Sequence, residues 1–202
     1  RHAPEGRRQP RSAGTAAASQ LPATPAASST PRPTITELEV HLIELAGPIQ
    51  SPDAEISGMT WYQDTLLLLP QYPERFGDQA AEGYLFAIPK AALLDYLDGK
   101  NTSPITPKPI PFISNEVGAG LRNYEGFESI AVSGDQAYLT IETGLPGTQG
   151  YLVTANILAG LQAVVVNSTA VLEIPSQVNS PNHSYESLLV FGRRLVALHE
   201  IN

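Results

Sequence analysis

Glu128-Ser-Ile-Ala-Val-Ser-Gly-Asp-Gln-Ala-Tyr-Leu-Thr-Ile-Glu142 is an apolar run, a polar turn and a second apolar run. That order predicts a β-hairpin. The pattern occurs twice more without gaps, as Ser57-Gly-Met-Thr-Trp-Tyr-Gln-Asp-Thr-Leu-Leu-Leu-Leu-Pro-Gln71 and as Glu186-Ser-Leu-Leu-Val-Phe-Gly-Arg-Arg-Leu-Val-Ala-Leu-His-Glu200. Each segment is 15 residues long, and their starts lie 71 and 58 residues apart. Two strand-like stretches follow each of the first two hairpins: Tyr84–Ile88 and Ile105–Ile113, then Gly150–Ala155 and Ala170–Ile174. Four strands per repeat at this period predict propeller blades. The expected fold is therefore all-β, a β-propeller fragment of two blades and the first hairpin of a third. A ring needs about four to eight blades, more than residues 37–202 supply at this spacing. A β-sandwich is the main competitor, but it gives no reason for the hairpin to recur.

The rest of the chain fits around these repeats. Glu37-Leu-Glu-Val-His-Leu-Ile-Glu-Leu45 alternates roughly apolar and polar, which predicts a half-buried strand. Pro89-Lys-Ala-Ala-Leu-Leu-Asp-Tyr-Leu-Asp98 starts with proline, contains strong helix formers and is followed by Gly99. It predicts one short helix, inserted between the third and fourth strands of its blade. A weaker helical pattern covers Ile157–Ala163. Trp61 and the leucines at 66–69 are expected in the core.

Residues 1–36 are a low-complexity run of Ala, Pro, Ser and Thr that cannot bury enough apolar surface to offset chain entropy. They are expected to form a disordered linker, and 37–202 the folded domain. The linker holds five arginines and one acid, so the remainder carries 19 acids against seven bases. An acidic body repels phosphate backbones and argues against nucleic acid as a partner. A cationic ligand or metal ion is easier to accommodate. With 42% hydrophobic and 16% charged residues, the composition is that of a globular protein. No apolar run is long enough to span a membrane as a helix. There are no cysteines, which excludes disulfides and thiolate chemistry. The first residue is Arg1, so removal of an upstream segment or a fragmentary sequence is expected.

Hairpin geometry singles out glutamates. With turns centred on Asp135 and Arg193, Glu128 faces Glu142 and Glu186 faces Glu200, while Ser57 and Gln71 are the corresponding pair in the first hairpin. Facing residues lie on one side of the sheet a few ångströms apart. Paired carboxylates repel unless one is protonated or a cation lies between them. In a propeller the first strand of each blade lines the central channel. Glu128, Glu142, Glu186 and Glu200 are thus expected to converge at one mouth, with Asn179, Asn182, His183 and Asn202 near the same level. Carboxylates with amide oxygens are hard ligands suited to Ca2+. The competing reading is structural, with these acids capping strands or pairing with arginines of adjacent blades. His183 is a candidate general base or an ordinary loop histidine. His199-Glu200 resembles the start of a zinc-protease HExxH, but sits on a predicted strand, where that helical spacing fails. Neither a Gly-x-Ser-x-Gly elbow nor a phosphate-binding glycine loop occurs. Asn101, Asn167 and Asn182 head glycosylation sequons, which matter only in a eukaryotic secretory protein.

Glu55-Ile-Ser-Gly-Met-Thr-Trp61 resembles the "E-x-S-G-L" opening of bacterial six-bladed propellers of the phytase-like (esterase-like) group. Glu125-Gly-Phe-Glu-Ser-Ile-Ala-Val-Ser-Gly-Asp135 is similar to the "LEGIA…GD" blade signature of that group. The resemblance covers about residues 50–202. It implies an exported protein, periplasmic or secreted, which agrees with the linker. Related six-bladed folds include calcium-dependent lactonases and gluconolactonases, in which an acid near the start of an inner strand helps to hold the metal. Glu128 and Glu186 match that placement; Ser57 departs from it, and Glu55 two residues upstream is a substitute. The catalytic residues stay unassigned. The functional expectation is a metal-dependent hydrolase of esters, lactones or phosphoesters acting on a small molecule. The alternative is a non-catalytic propeller that binds a protein or glycan.

Overall fold

The computed structural model describes residues 39–144, 149–175 and 184–200. The expected linker therefore lies outside the described residues. Among the described residues, ten strands, one α-helix and four short 3-10 turns make up the elements. A first antiparallel meander contains β1 (Ile56–Tyr62), β2 (Thr65–Pro70), β3 (Gly83–Pro89) and β4 (Lys108–Ile113), with α1 (Lys90–Leu97) between β3 and β4. A second contains β5 (Tyr124–Ser133), β6 (Gln136–Thr143), β7 (Gln149–Ile157) and β8 (Val164–Ile174). The third hairpin is β9 (Tyr185–Phe191) and β10 (Arg194–His199).

The architecture is all-β, as expected, but the two meanders are not free-standing. Their last strands, β4 and β8, pair in parallel at Phe112–Val164 and Ile113–Val165. This makes one eight-stranded mixed sheet, ordered β1-β2-β3-β4-β8-β7-β6-β5. The pairing satisfies backbone groups that two separate sheet edges would leave open. The far ends of the sheet also meet. Phe127 N–H donates to Gln71 O at 2.8 Å, and the Ser57 hydroxyl donates to Phe127 O at 2.6 Å. Gly58 allows this approach: a Cβ there would stand 3.0 Å from Ile130 N.

The main core lies between the meanders. Leu67, Leu69, Leu139, Ile141 and Val153 are fully buried in it, and Phe112 packs edge-on against Phe127 at 5.1 Å. A second cluster, around Leu68, Phe86 and Ile88, is covered by Ile43, Leu45 and α1. The β9–β10 hairpin packs against β5 and β6, where Thr140 Oγ1 donates to Tyr185 O at 2.9 Å. Its other face presents Leu189, Phe191, Val196 and Leu198, all exposed.

Three expectations need correction. Residues 39–45 form no strand; Leu45 makes one isolated bridge to Ile105. Ile43 and Leu45 find apolar partners while Val40 and Leu42 stay exposed, so only part of the alternating pattern is buried. Ile157–Ala163 forms no α-helix. It ends β7 and makes a single 3-10 turn over Ala159–Leu161, where Gly160 takes φ 68°. Trp61 is 49% exposed at the end of the sheet and is not core, although Leu67, Leu68 and Leu69 are buried.

The hairpin register is a fourth correction. The tight turns centre one half-step earlier than expected, on Gln63-Asp64, Gly134-Asp135 and Gly192-Arg193. Gln63, Gly134 and Gly192 have φ of 51°, 59° and 60°. Positive φ at the first turn residue favours glycine and matches a type II′ connection. Ser129 therefore faces Thr140, and Ser187 faces Leu198. Beyond them each hairpin slips by one residue, at Ser57, at Glu128 and at Glu186. Glu128 thus does not face Glu142, Glu186 does not face Glu200, and Ser57 does not face Gln71.

Truncation tests this core. Leu139→Ala should cost about 2–5 kcal/mol, whereas Leu189→Ala on the open face should change stability by less than about 0.5 kcal/mol. Urea unfolding of both variants measures the difference; equal losses would misplace the core.

Candidate metal centre

The repeated slip is a β-bulge, in which two residues on one strand oppose one on its partner. Its effect is clearest in the second hairpin. Side chains on β6 alternate, so Thr140 and Glu142 share a side. Ser129 Oγ meets Thr140 Oγ1 at 2.5 Å on that side. The extra residue lets Glu128 join Ser129 there instead of alternating away from it. Glu186, the bulge residue of β9, comes in from the third hairpin. One carboxylate oxygen from each of Glu128, Glu142 and Glu186 lies within 4.8 Å of the others. Glu128 and Glu142 are buried and Glu186 half-buried.

Glycines make room for this cluster. Glu142 is flanked across the sheet by Gly126 on β5 and Gly150 on β7. A Cβ on Gly126 would collide with the Gln71 side chain, and one on Gly150 would stand 2.7 Å from the Tyr185 ring and 3.0 Å from Ser184 Oγ. The vacant side-chain positions are thus filled by groups from the first and third hairpins. Gln71 uses its place to donate through Nε2 to Glu128 Oε1 and to Glu125 O, both at 2.9 Å.

Burial pushes the Glu128 carboxyl up to about 8, with further upward pressure from Glu186, Glu142 and Glu125 and an opposing pull from the Gln71 amide. The largest influences on it are burial, neighbouring acids and one amide. Three acids in a water-poor site cannot all ionise cheaply without a cation. Oxygens bound to one Ca2+ at about 2.3–2.6 Å lie at most about 4.6–5.2 Å apart. The 4.8 Å spread fits that limit.

The other sequence candidates stand elsewhere. Glu200 is exposed just past β10, and its backbone N–H donates to Ser184 O at 2.9 Å. The changed register gives the inward place to His199, buried edge-on against the Tyr185 ring at 5.2 Å. Glu55 binds Arg75 at 2.6 Å on the surface and does not belong to the cluster. Ser57 keeps its hydroxyl on Phe127 O. Asn179, Asn182, His183 and Asn202 lie outside the described residues. Gln71, which the repeat marks only as the first-hairpin counterpart of Glu142, is a neighbour of the site through Glu128, and Ser184 lies close to the Gly150 position without any mark in the sequence. An open groove of about 260 Å³ leads along β1, β5 and β9 to Glu186, lined by Ser57, Met59, Ser129, Ser187 and Leu188. Compared with family models, with curated proteins and with solved structures, the chain matches none.

Without a divalent cation, the raised Glu128 carboxyl makes stability pH-dependent. The folded chain holds this proton more tightly than the unfolded chain does. Its contribution is complete below the ordinary 4.5 and is lost as pH rises through about 8. In a chelator, the Tm should fall across that window, and Glu128→Gln should flatten the slope. An unchanged slope in the variant would show that Glu128 titrates normally.

Proposed function

We propose that the chain is part of an exported, phytase-like β-propeller whose channel holds Ca2+ on Glu128, Glu142 and Glu186, and that this centre serves hydrolysis of an ester, lactone or phosphoester. The observation that carries the metal reading is the convergence of three carboxylates, two of them buried, within Ca2+-ligand spacing. The propeller reading draws support from the order of elements. Two antiparallel meanders of four strands place their first strands, β1 and β5, side by side, and β9 follows β5. All three inner strands carry the bulge at the same repeat position.

In this reading Glu128, Glu142 and Glu186 are the protein ligands. Ca2+ bound there would polarise a scissile carbonyl or phosphoryl oxygen and lower the pKa of a bound water. Gln71 orients Glu128 through its amide N–H, and the Gly126 and Gly150 positions keep the space beside Glu142 free of their own side chains. A small molecule would enter by the groove along the inner strands. The acidic body and the Pro/Ala/Ser/Thr linker favour a cation-binding domain tethered outside the cytoplasm over one that engages nucleic acid.

Calcium titration of the whole protein after chelation tests the centre. Binding at 100 times Kd should add about 2.7 kcal/mol of stability, and Glu142→Gln should remove most of that gain. No Tm rise with Ca2+ would sink the metal reading. Assays on a neutral aryl ester, a lactone and an aryl phosphate, with Ca2+ and with chelator, test the hydrolase reading. Turnover that needs Ca2+ supports it; no Ca2+-dependent turnover on any of the three leaves a non-catalytic site.

A further inference from the structure

Ser184 immediately precedes β9. It is only 1% exposed, and among the described residues its hydroxyl has no hydrogen-bond partner. A buried hydroxyl left so costs about 1–3 kcal/mol, and native structures rarely keep one without a reason.

Its position supplies the reason. Ser184 Oγ stands 3.0 Å from the point where a Gly150 Cβ would be. Gly150 faces Glu142 directly across β6 and β7. Facing residues project to one side with Cβ positions about 4.5–5.5 Å apart. The hydroxyl therefore occupies the side-chain place that Gly150 leaves vacant, on the side of the sheet that carries Glu142, and among the described residues makes no hydrogen bond there. The backbone that follows the Ser184 side chain is anchored. Ser184 O accepts from Glu200 N and Tyr185 O from Thr140 Oγ1, each at 2.9 Å. Tyr185 OH donates to Pro175 O at 2.9 Å. Among the described residues, a buried oxygen is thus held without a hydrogen-bond partner on the side of the sheet that carries Glu142.

We propose that Ser184 Oγ is a neutral oxygen ligand of the cation held by Glu128, Glu142 and Glu186, and that residue 150 is glycine so that this hydroxyl can reach it. The proposal rests on the metal reading above. Ca2+ takes six to eight oxygens, and three carboxylates leave positions open. A hydroxyl fills one without adding to the negative charge. It also gives the third hairpin a second hold on the ion besides Glu186.

Isothermal titration of the chelated protein with CaCl2 tests the assignment, using wild type, Glu142→Gln, Ser184→Ala and Gly150→Ala. Ser184→Ala should weaken Ca2+ about tenfold, while its Tm in chelator equals or exceeds that of wild type, because an unsatisfied buried hydroxyl has been removed. Gly150→Ala, if folded, should weaken Ca2+ at least as much. A wild type that does not bind Ca2+ overturns both the metal reading and this one. A wild type that binds, with Glu142→Gln impaired and Ser184→Ala unchanged, overturns the Ser184 assignment alone. A Ser184→Ala variant with unchanged affinity and a lower Tm in chelator also overturns it, and gives the hydroxyl a structural role.

Discussion

A strand that alternates its side chains cannot turn residues 128 and 129 to one face unless an extra residue is let into the ladder. That constraint underlies the glutamate cluster. The turn at Gly134-Asp135 fixes the pairing of Ser129 with Thr140, and the slip that follows lets Glu128 join the side occupied by Glu142. The same slip at Glu186 supplies the third acid from another hairpin. In the first hairpin it falls on Ser57, whose short hydroxyl ties the sheet ends together instead. One backbone device, used three times, therefore serves closure in one place and the convergence of carboxylates in two.

The cluster also depends on what is missing from the strands around it. Gly126 and Gly150 flank Glu142, and the volumes they vacate hold Gln71 and Ser184 with Tyr185. Gly126 takes φ +115°, a conformation that other residues rarely adopt, so it could not simply be exchanged for alanine even with space available. Parts of all three hairpins thus reach the same few ångströms. The acids are kept close by packing that mutual repulsion opposes, which is the condition under which a cation gains most from binding.

The hairpins were legible because their apolar runs and polar turns are local features. So was α1, with proline before it and glycine after. The register is less legible: glycine at 134 and 192 marks the first residue of a two-residue turn, whereas the symmetry of the 15-residue segments points to Asp135 and Arg193 as the centres. The bulge then changed which acid points inward, taking Glu200 out and bringing His199 in. The repeat marks Gln71 as the counterpart of Glu142 but not its bond to Glu128, and Ser184 has no pattern at all, since each makes its contact between segments far apart in the chain. Trp61 misleads because a large apolar residue on β1 is not buried unless something packs on that end of the sheet.

The open side of the β9–β10 hairpin has a practical side. Among the described residues β10 pairs only with β9, and its free edge adjoins a face of leucine, valine and phenylalanine. An unpaired edge beside exposed apolar side chains templates further strand pairing. Handled as an isolated polypeptide at high concentration, this protein would first become sticky at that corner. A charged residue at Leu189 or Val196 would be the place to begin in making it behave in solution, since both lie on the side of the hairpin away from β5 and β6.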